Sequence, residues 1–207
     1  LPLSTQIIVN SKEMKRLLKK KLKVESEYIY NPLSTKDLDS SKNTKKKFFK
    51  NQKNLKILFL GRLVDQKDPF TFLKSLKLIS NRINYEALIV GSGNLKDKIT
   101  KYINENNLKL KVKLITFKAN PSQYLNQCDL FILTSKYEGL PNVLLEAQYL
   151  KKYIISTNCK TGPKEILKNG KLGDLINIGN YKKLSHNILK YNANRKKLFI
   201  RNKINDA

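Results

Sequence analysis

The sequence predicts an α/β domain built on a doubly wound parallel sheet with helices on both faces. From residue 56 onward, short apolar runs alternate with longer amphipathic stretches. The runs are nearly continuous in Val, Ile, Leu and Phe, as in strands buried on both faces. They are joined by glycine- and lysine-containing turns, and right-handed crossovers between such strands place helices on both sides of the sheet.

The elements follow in order. Residues 5–10, TQIIVN, read as a short strand, and 11–20 as a basic helix with Ser11 as its N-cap. The run YIYNP reads as a strand ending before Pro32, whose ring disfavours helix at Asn31. Residues 34–54 are polar and lysine-rich and read as a linker or exposed loop. Then come strand KILFL, a helix near 68–80, strand YEALIV, and the loop GSG with a helix near 95–106. Strand VKLIT leads to a helical turn at 121–126, and strand LFILT to a loop and a helix at 141–150. Strand YIIST, a short helix at 163–168, a strand near 172–176 and a helix at 181–189 complete the pattern. Ligands of such sheets sit at the carboxyl ends of the strands. The loops after Leu60, Val90, Thr116 and Thr134 are therefore the candidate site.

Composition bounds the function. With 40% hydrophobic residues in short blocks, the 207-residue chain can bury a core. No apolar run reaches the roughly 18 residues that span a bilayer, and the N-terminal stretch lacks a signal-peptide layout. Cys128 and Cys159 are not in metal-like spacing and read as free thiols of a reducing cytoplasm. The single histidine, His186, offers no triad partner pattern and reads as an ordinary helix residue. The net charge of +26 could signal a nucleic acid or an anionic membrane. Its lysines are spread over the whole chain among many Asn and Ile, which reads as compositional bias. Attraction to the inner face of the cytoplasmic membrane would be a by-product.

Three loops carry the candidate chemistry. In GRLVDQK, Arg62 and Lys67 sit just past a strand end, where a guanidinium fork and a mobile ammonium suit a diphosphate. Taken alone, the reading as two solvated basic residues in a chain full of them is the stronger. In GSGN, Gly91 and Gly93 allow close backbone approach, but Lys96 occupies the third glycine position of a dinucleotide fingerprint. A nicotinamide dehydrogenase is therefore disfavoured. In SKYEGLPNVLLEA, Glu138 lies in the loop, Pro141 suits a first helical turn, and Glu146 lies in the helix. Backbone N–H groups from Gly139 to Val143 form an anion-attracting helix start. A helix continued back to Glu138 would separate the two acids by about 12 Å along its axis and about 80° around it. That spans the ribose and sugar ends of a nucleotide sugar.

This last run resembles the Glu-x7-Glu signature of glycosyltransferase family four, the retaining GT-B enzymes. GRLVDQKDP, GSGNLKDKI, CDLFILTS and ISTNCKTGPKEILKNGKLGDL also match in order, so the resemblance covers about residues 55–190. It implies a donor-binding domain over 55–195, an acceptor-domain remnant over 1–33, a linker over 34–54 and a truncated C-terminal segment over 196–207. It implies that Arg62 and Lys67 neutralise the donor diphosphate, that Glu146 holds the ribose, and that Glu138 lies beside the donor sugar. Gly139, Leu140, Pro141 and Asn142 would contact sugar and phosphate through their backbone, and Gly91 and Gly93 would face the donor cleft. The leaving group would be a nucleoside diphosphate, so no metal and no other cofactor is implied. The ending TGPKEILKNG resembles members that build surface polysaccharide or glycolipid, with a UDP-sugar as the expected donor and a glycan or lipid-linked glycan as the acceptor.

The segment LITFKANP departs from the family, which often has glycine near the place of Thr116; the nucleobase contacts are affected. Asp37-Leu38-Asp39 is formally a DxD metal motif, but it sits in the lysine-rich stretch instead of at a strand end. A sugar-nucleotide epimerase of similar architecture would need acid/base residues that the sequence does not offer, and a basic nucleic-acid-binding module would not need the paired acids.

Overall fold

Ser11 starts the first helix as its side chain predicts. Its hydroxyl accepts a bond from the Met14 N–H at 3.1 Å, and the chain enters α1 (Lys12–Leu22), which follows β1 (Ile8–Val9). The computed structural model describes residues 6–116 and 120–195, so Thr5 of the expected first strand and the whole 196–207 segment lie outside the described residues. The second expected strand forms slightly earlier than YIYNP: β2 (Glu27–Tyr28) pairs in parallel with β1. Ile8, Leu22 and Ile29 of this small unit are more than half exposed.

The expected exposed linker is corrected by the structure. Residues 36–41 form α2 (Lys36–Ser41), and Leu38 and Phe49 are 2% and 1% exposed. Both side chains join the core beneath Tyr124 and Leu125. The Phe48 N–H donates to Gln127 at 3.0 Å, and the Lys50 and Asn51 N–H groups donate to the two Glu86 carboxylate oxygens. Averaged over the stretch, lysine content hid two apolar anchors whose burial outweighs the polarity of their neighbours.

The main sheet has six strands, all parallel: β3 (Leu55–Leu60), β4 (Tyr85–Val90), β5 (Val112–Ile115), β6 (Leu130–Leu133), β7 (Tyr153–Thr157) and β8 (Asp174–Ile176). The helices between and after them are α3 (Pro69–Ile79), α4 (Lys96–Glu105), α5 (Ser122–Gln127), α6 (Asn142–Tyr149), α7 (Pro163–Ile166) and α8 (Tyr181–Ala193). Strand periodicity divides the core into two layers. Leu55, Ile57 and Phe59 face the layer of Phe72, Ile99 and Ile188; Leu58 and Leu60 face that of Leu125, Leu144 and Ala147. The doubly wound reading is therefore observed. The last helix runs four residues beyond its expected end because Ile188 and Tyr191 remain buried.

Strand order is β5-β4-β3-β6-β7-β8. The chain builds outward from β3 to β5, then returns to lay β6 beside β3. That reversal is the topological switch point, where the crevice of an open α/β sheet lies. Residues 61–68 leave β3 on one side of it and residues 134–141 leave β6 on the other.

Candidate functional site

The loop after β3 is held by backbone bonds to its neighbour. Gly61 N–H donates to Val90 O at 3.0 Å, Leu63 N–H to Ser92 O at 2.8 Å, and Leu95 N–H to Leu63 O at 3.0 Å. This contact explains Gly91: a Cβ there would lie 1.9 Å from the Gly61 carbonyl oxygen, and one on Gly93 would lie 2.4 Å from that of Leu63. The two glycines let the β4 loop pack against the β3 loop that carries the candidate cations.

Across the switch point the two loops are cross-linked. Lys67 Nζ meets Glu138 Oε1 at 2.6 Å, with the two side chains only 15% and 8% exposed. Arg62 is exposed, and its Nη2 donates to Gln66 Oε1 at 3.0 Å. Gln66 Nε2 donates in turn to the Tyr137 carbonyl at 3.0 Å. Lys136 grips Asp65 through both carboxylate oxygens at 2.6 and 2.7 Å. Buried Thr134 donates its hydroxyl toward the Lys67 and Asp68 carbonyls. Asp68 has φ 44°, and its carboxylate accepts from the Thr71 N–H at 3.1 Å, starting α3 ahead of Pro69. The structure thus brings Arg62, Lys67 and Glu138 to one place. Gln66, whose amide bridges the two loops, was missed, because a lone glutamine in a loop gives no spacing signal.

The Glu138 loop is fixed from behind by the chain after β7. Thr161 donates its hydroxyl to the Glu138 carbonyl, and Tyr137 bridges Lys160. Gly162, at φ +86°, brings its Cα against this loop, where a Cβ would lie 2.4 Å from Gly139 O and 2.6 Å from Pro141 Cδ. The same segment reaches the N-terminal unit through a residue that sequence reasoning also missed. Glu165 accepts from the Lys12 N–H at 3.2 Å, the Glu13 N–H at 3.1 Å and the Tyr30 hydroxyl. The carboxylate thereby sits on the first turn of α1, and its hydrogen bond pushes the Tyr30 hydroxyl up to about 12.

The helix expected from Pro141 begins at Asn142, with Pro141 as an extended N-cap at ψ 98°. Glu138 therefore lies in the loop, and the helical extrapolation of its distance from Glu146 does not hold. No side chain caps α6 among the described residues, so N–H groups at its start have no side-chain acceptor there. Leu140 and Pro141 are buried while Asn142 is exposed and accepts from Asn31 Nδ2 at 2.9 Å. One turn further, Glu146 is half-buried, and no hydrogen bond reaches its carboxylate from the described residues. Burial alone pushes its carboxyl above the usual range. Glu146 and Asn142 line a cleft of about 480 Å³ together with Pro32, Leu33, Asp37 and Ser122. The expected linker thus supplies one wall of it. The neighbouring segment LITFKANP is described only to Thr116, which is exposed; residues 117–119 lie outside the described residues.

Asp37 and Asp39 stand two residues apart on α2, about 200° around the helix. Asp39 is taken by Lys42 Nζ at 2.7 Å and by the Tyr149 hydroxyl, so the two carboxylates do not converge. Cys128 and Cys159 are free and buried, and burial pushes their thiols up to about 12 and about 11. His186 lies on α8, in a basic hollow with Arg82, Lys182 and Lys190, away from the switch point. Among the described residues no helix is long and apolar enough to cross a membrane.

Comparison with known proteins bears on the family and the fold. The sequence profile of the family described as Glycosyl transferases group 1 matches residues 40–204. An uncharacterized glycosyltransferase of Methanocaldococcus jannaschii is 34% identical over 168 residues, covering 78% of this chain and 41% of the relative. A Campylobacter jejuni enzyme named as a 4-alpha-N-acetylgalactosaminyltransferase acting on a diphospho-undecaprenol-linked sugar is 32% identical, covering 60% of this chain and 33% of the relative. Among solved structures, a Staphylococcus aureus TarM variant in complex with fondaparinux, alpha-GlcNAc-glycerol and UDP superposes with a TM-score of 0.77 at 26% identity. That match covers 89% of this chain and 36% of TarM. The chain spans about two fifths or less of the length of these proteins.

Proposed function

The chain belongs to the glycosyl transferases group 1 family, of GT-B fold, and from that premise we propose that it is the nucleotide-sugar-binding part of a retaining glycosyltransferase. The observation that carries this reading is the meeting, across the switch point, of two cations and a carboxylate beside a helix start without a side-chain cap, with a second carboxylate, unpartnered among the described residues, one turn along that helix. The diphosphate of a donor lies against Arg62, Lys67 and the start of α6. The ribose hydroxyls donate to Glu146 in the cleft, and the sugar lies toward Glu138 and the Gly139–Asn142 backbone.

In the transfer step the bond between the anomeric carbon and the phosphate oxygen breaks, and the nucleoside diphosphate leaves with the electron pair. A bond forms from the acceptor oxygen to the same carbon, and the acceptor hydroxyl's proton passes to the departing phosphate oxygen. Charge grows on the leaving phosphate, where fixed cations and helix N–H groups lower the barrier. No bound cation is needed for this, because Arg62 and Lys67 supply the neutralisation. A UDP-sugar as donor and a glycan or lipid-linked glycan as acceptor are supported by the relatives, which include the undecaprenol-linked enzyme and the UDP complex.

Calorimetric titration with UDP-sugars, GDP-sugars and duplex DNA at several salt concentrations, with and without EDTA, tests the reading. A nucleotide sugar should bind with or without EDTA. Binding of DNA in place of every nucleotide sugar, or loss of nucleotide binding in EDTA, would overturn it.

A further inference from the structure

We propose that Glu138 is an internal counter-ion that competes with the donor's diphosphate for Lys67, so that the site holds the intact donor in preference to the nucleoside diphosphate left after transfer. The inference rests on the donor-site reading above and goes beyond it, since that reading gives Glu138 only the sugar.

Lys67 and Glu138 come from loops 71 residues apart, and their 2.6 Å contact spans the switch point. At 15% and 8% side-chain exposure both charges are largely out of water, so each depends on the other for compensation. The Lys67 stem lies along Gly61, with its Cδ 3.7 Å from where a Cβ would stand. The Glu138 backbone is held by Thr161 and by the bridge from Tyr137 to Lys160. Neither residue is loosely tethered, and a third charge entering the site must negotiate with both.

Only Oε1 of Glu138 is bonded; Oε2 takes no hydrogen bond from the described residues. An intact donor offers sugar hydroxyls to this carboxylate while its diphosphate takes Lys67, so each ion exchanges one partner for another. A nucleoside diphosphate offers only the second half of that exchange. Its phosphate must then lie near a carboxylate that has lost its cation and gained nothing. A unit charge about 5 Å from another costs at least about fourfold in affinity even in the bulk-water limit at low ionic strength, and more in a partly dry site. Once the sugar has gone to the acceptor, the return of Glu138 to Lys67 favours release of the leaving group.

The test uses this chain and Glu138→Gln, whose amide oxygen can still accept from Lys67, together with Lys67→Met and the double variant. Folding is checked by circular dichroism. UDP, GDP, uridine and a panel of their nucleotide sugars are titrated at low and physiological ionic strength. Glu138→Gln should tighten the nucleoside diphosphate at least about fourfold at low salt and narrow the preference for the intact donor. The double variant should bind UDP no more tightly than Lys67→Met alone. If Glu138→Gln weakens the nucleoside diphosphate or leaves it unchanged, the counter-ion role is overturned. If that happens while Lys67→Met weakens UDP but not uridine, the donor-site reading survives. If Lys67→Met affects neither ligand, both fall.

Discussion

Glu146 offers the sharpest separation of a functional carboxylate from a structural one. It is half-buried, receives no hydrogen bond from the described residues, and its carboxyl is pushed above the usual range by burial. A structural acid in that position would be bonded, and its loss would destabilise the fold. Glu146→Gln should leave thermal stability unchanged or higher, because no bond is lost and a desolvated charge is removed. Nucleotide binding should move the opposite way. One charge-assisted hydrogen bond from a ribose hydroxyl is worth about 1.5–3 kcal/mol, or roughly 10- to 150-fold in affinity.

The pH dependence follows with a definite sign. The folded state keeps this proton to a higher pH than the unfolded chain does. Stability therefore falls as pH rises from the ordinary glutamate value of 4.5 through the raised folded value, and is flat above it. A ribose favours the carboxylate, so nucleotide affinity should fall as pH is lowered through that same window. In Glu146→Gln both slopes should disappear. Calorimetry with UDP between pH 4.5 and 8, beside thermal melts over the same range, measures them. A folded Glu146→Gln protein with unchanged UDP affinity, or one that is strongly destabilised, would refute the assignment.

Arg62→Ala and Lys67→Ala should each weaken UDP far more than uridine in parallel titrations, and Lys67→Ala should also cost roughly 3 kcal/mol of stability by stranding Glu138; equal losses for both ligands would remove the diphosphate role. Glu165→Ala should leave UDP affinity near its original value. Hydrogen exchange at the Lys12 and Glu13 amides should rise about tenfold or more, since each loses a charged acceptor; unchanged exchange would mean that α1 is held by something else. Leu38→Ala should destabilise by about 2–5 kcal/mol in a denaturant titration, whereas a substitution in a true exposed linker would shift it by about 0.5 kcal/mol or less.

The sheet and its helices were legible because β3, β4 and β6 are short, nearly continuous apolar runs separated by amphipathic helices. Glu138 and Glu146 were singled out by the resemblance of their run to the Glu-x7-Glu signature, since composition alone reads them as a helix-start acid and an ordinary helix acid; the structure places one in the loop and the other in the helix. What was not legible depends on contacts across the fold. Gln66 and Glu165 act by reaching Tyr137 and Lys12, 71 and 153 residues away, and no local pattern marks such a partner. The stretch 34–54 misled for a related reason: burial is set by single anchors such as Leu38 and Phe49, and a compositional window dilutes them. The continuation of a helix back through Pro141 failed because the loop is pulled from behind by Thr161 and Gly162, on a segment that strand order brings beside it.

The structure also changes what the charge of +26 means. Most of the 42 basic residues are exposed lysines, and a field made by mobile ammonium groups is screened over about 8 Å at physiological ionic strength. Such a field can raise the encounter rate of any anion but cannot tell a diphosphate from a nucleic-acid backbone. The two switch-point cations differ in kind. Lys67 is largely buried against a carboxylate, and Arg62 is held by an amide that is itself anchored to Tyr137. Their positions are set before a ligand arrives, so less side-chain freedom is lost on binding and less of their effect is screened. On the proposed donor-site reading, selectivity for a compact dianion beside two carboxylates follows from that arrangement. An extended polyanion would have to bring its other phosphates past Glu138 and Glu146. The basic surface and the donor site are therefore separable: salt should weaken the first steeply and the second only mildly.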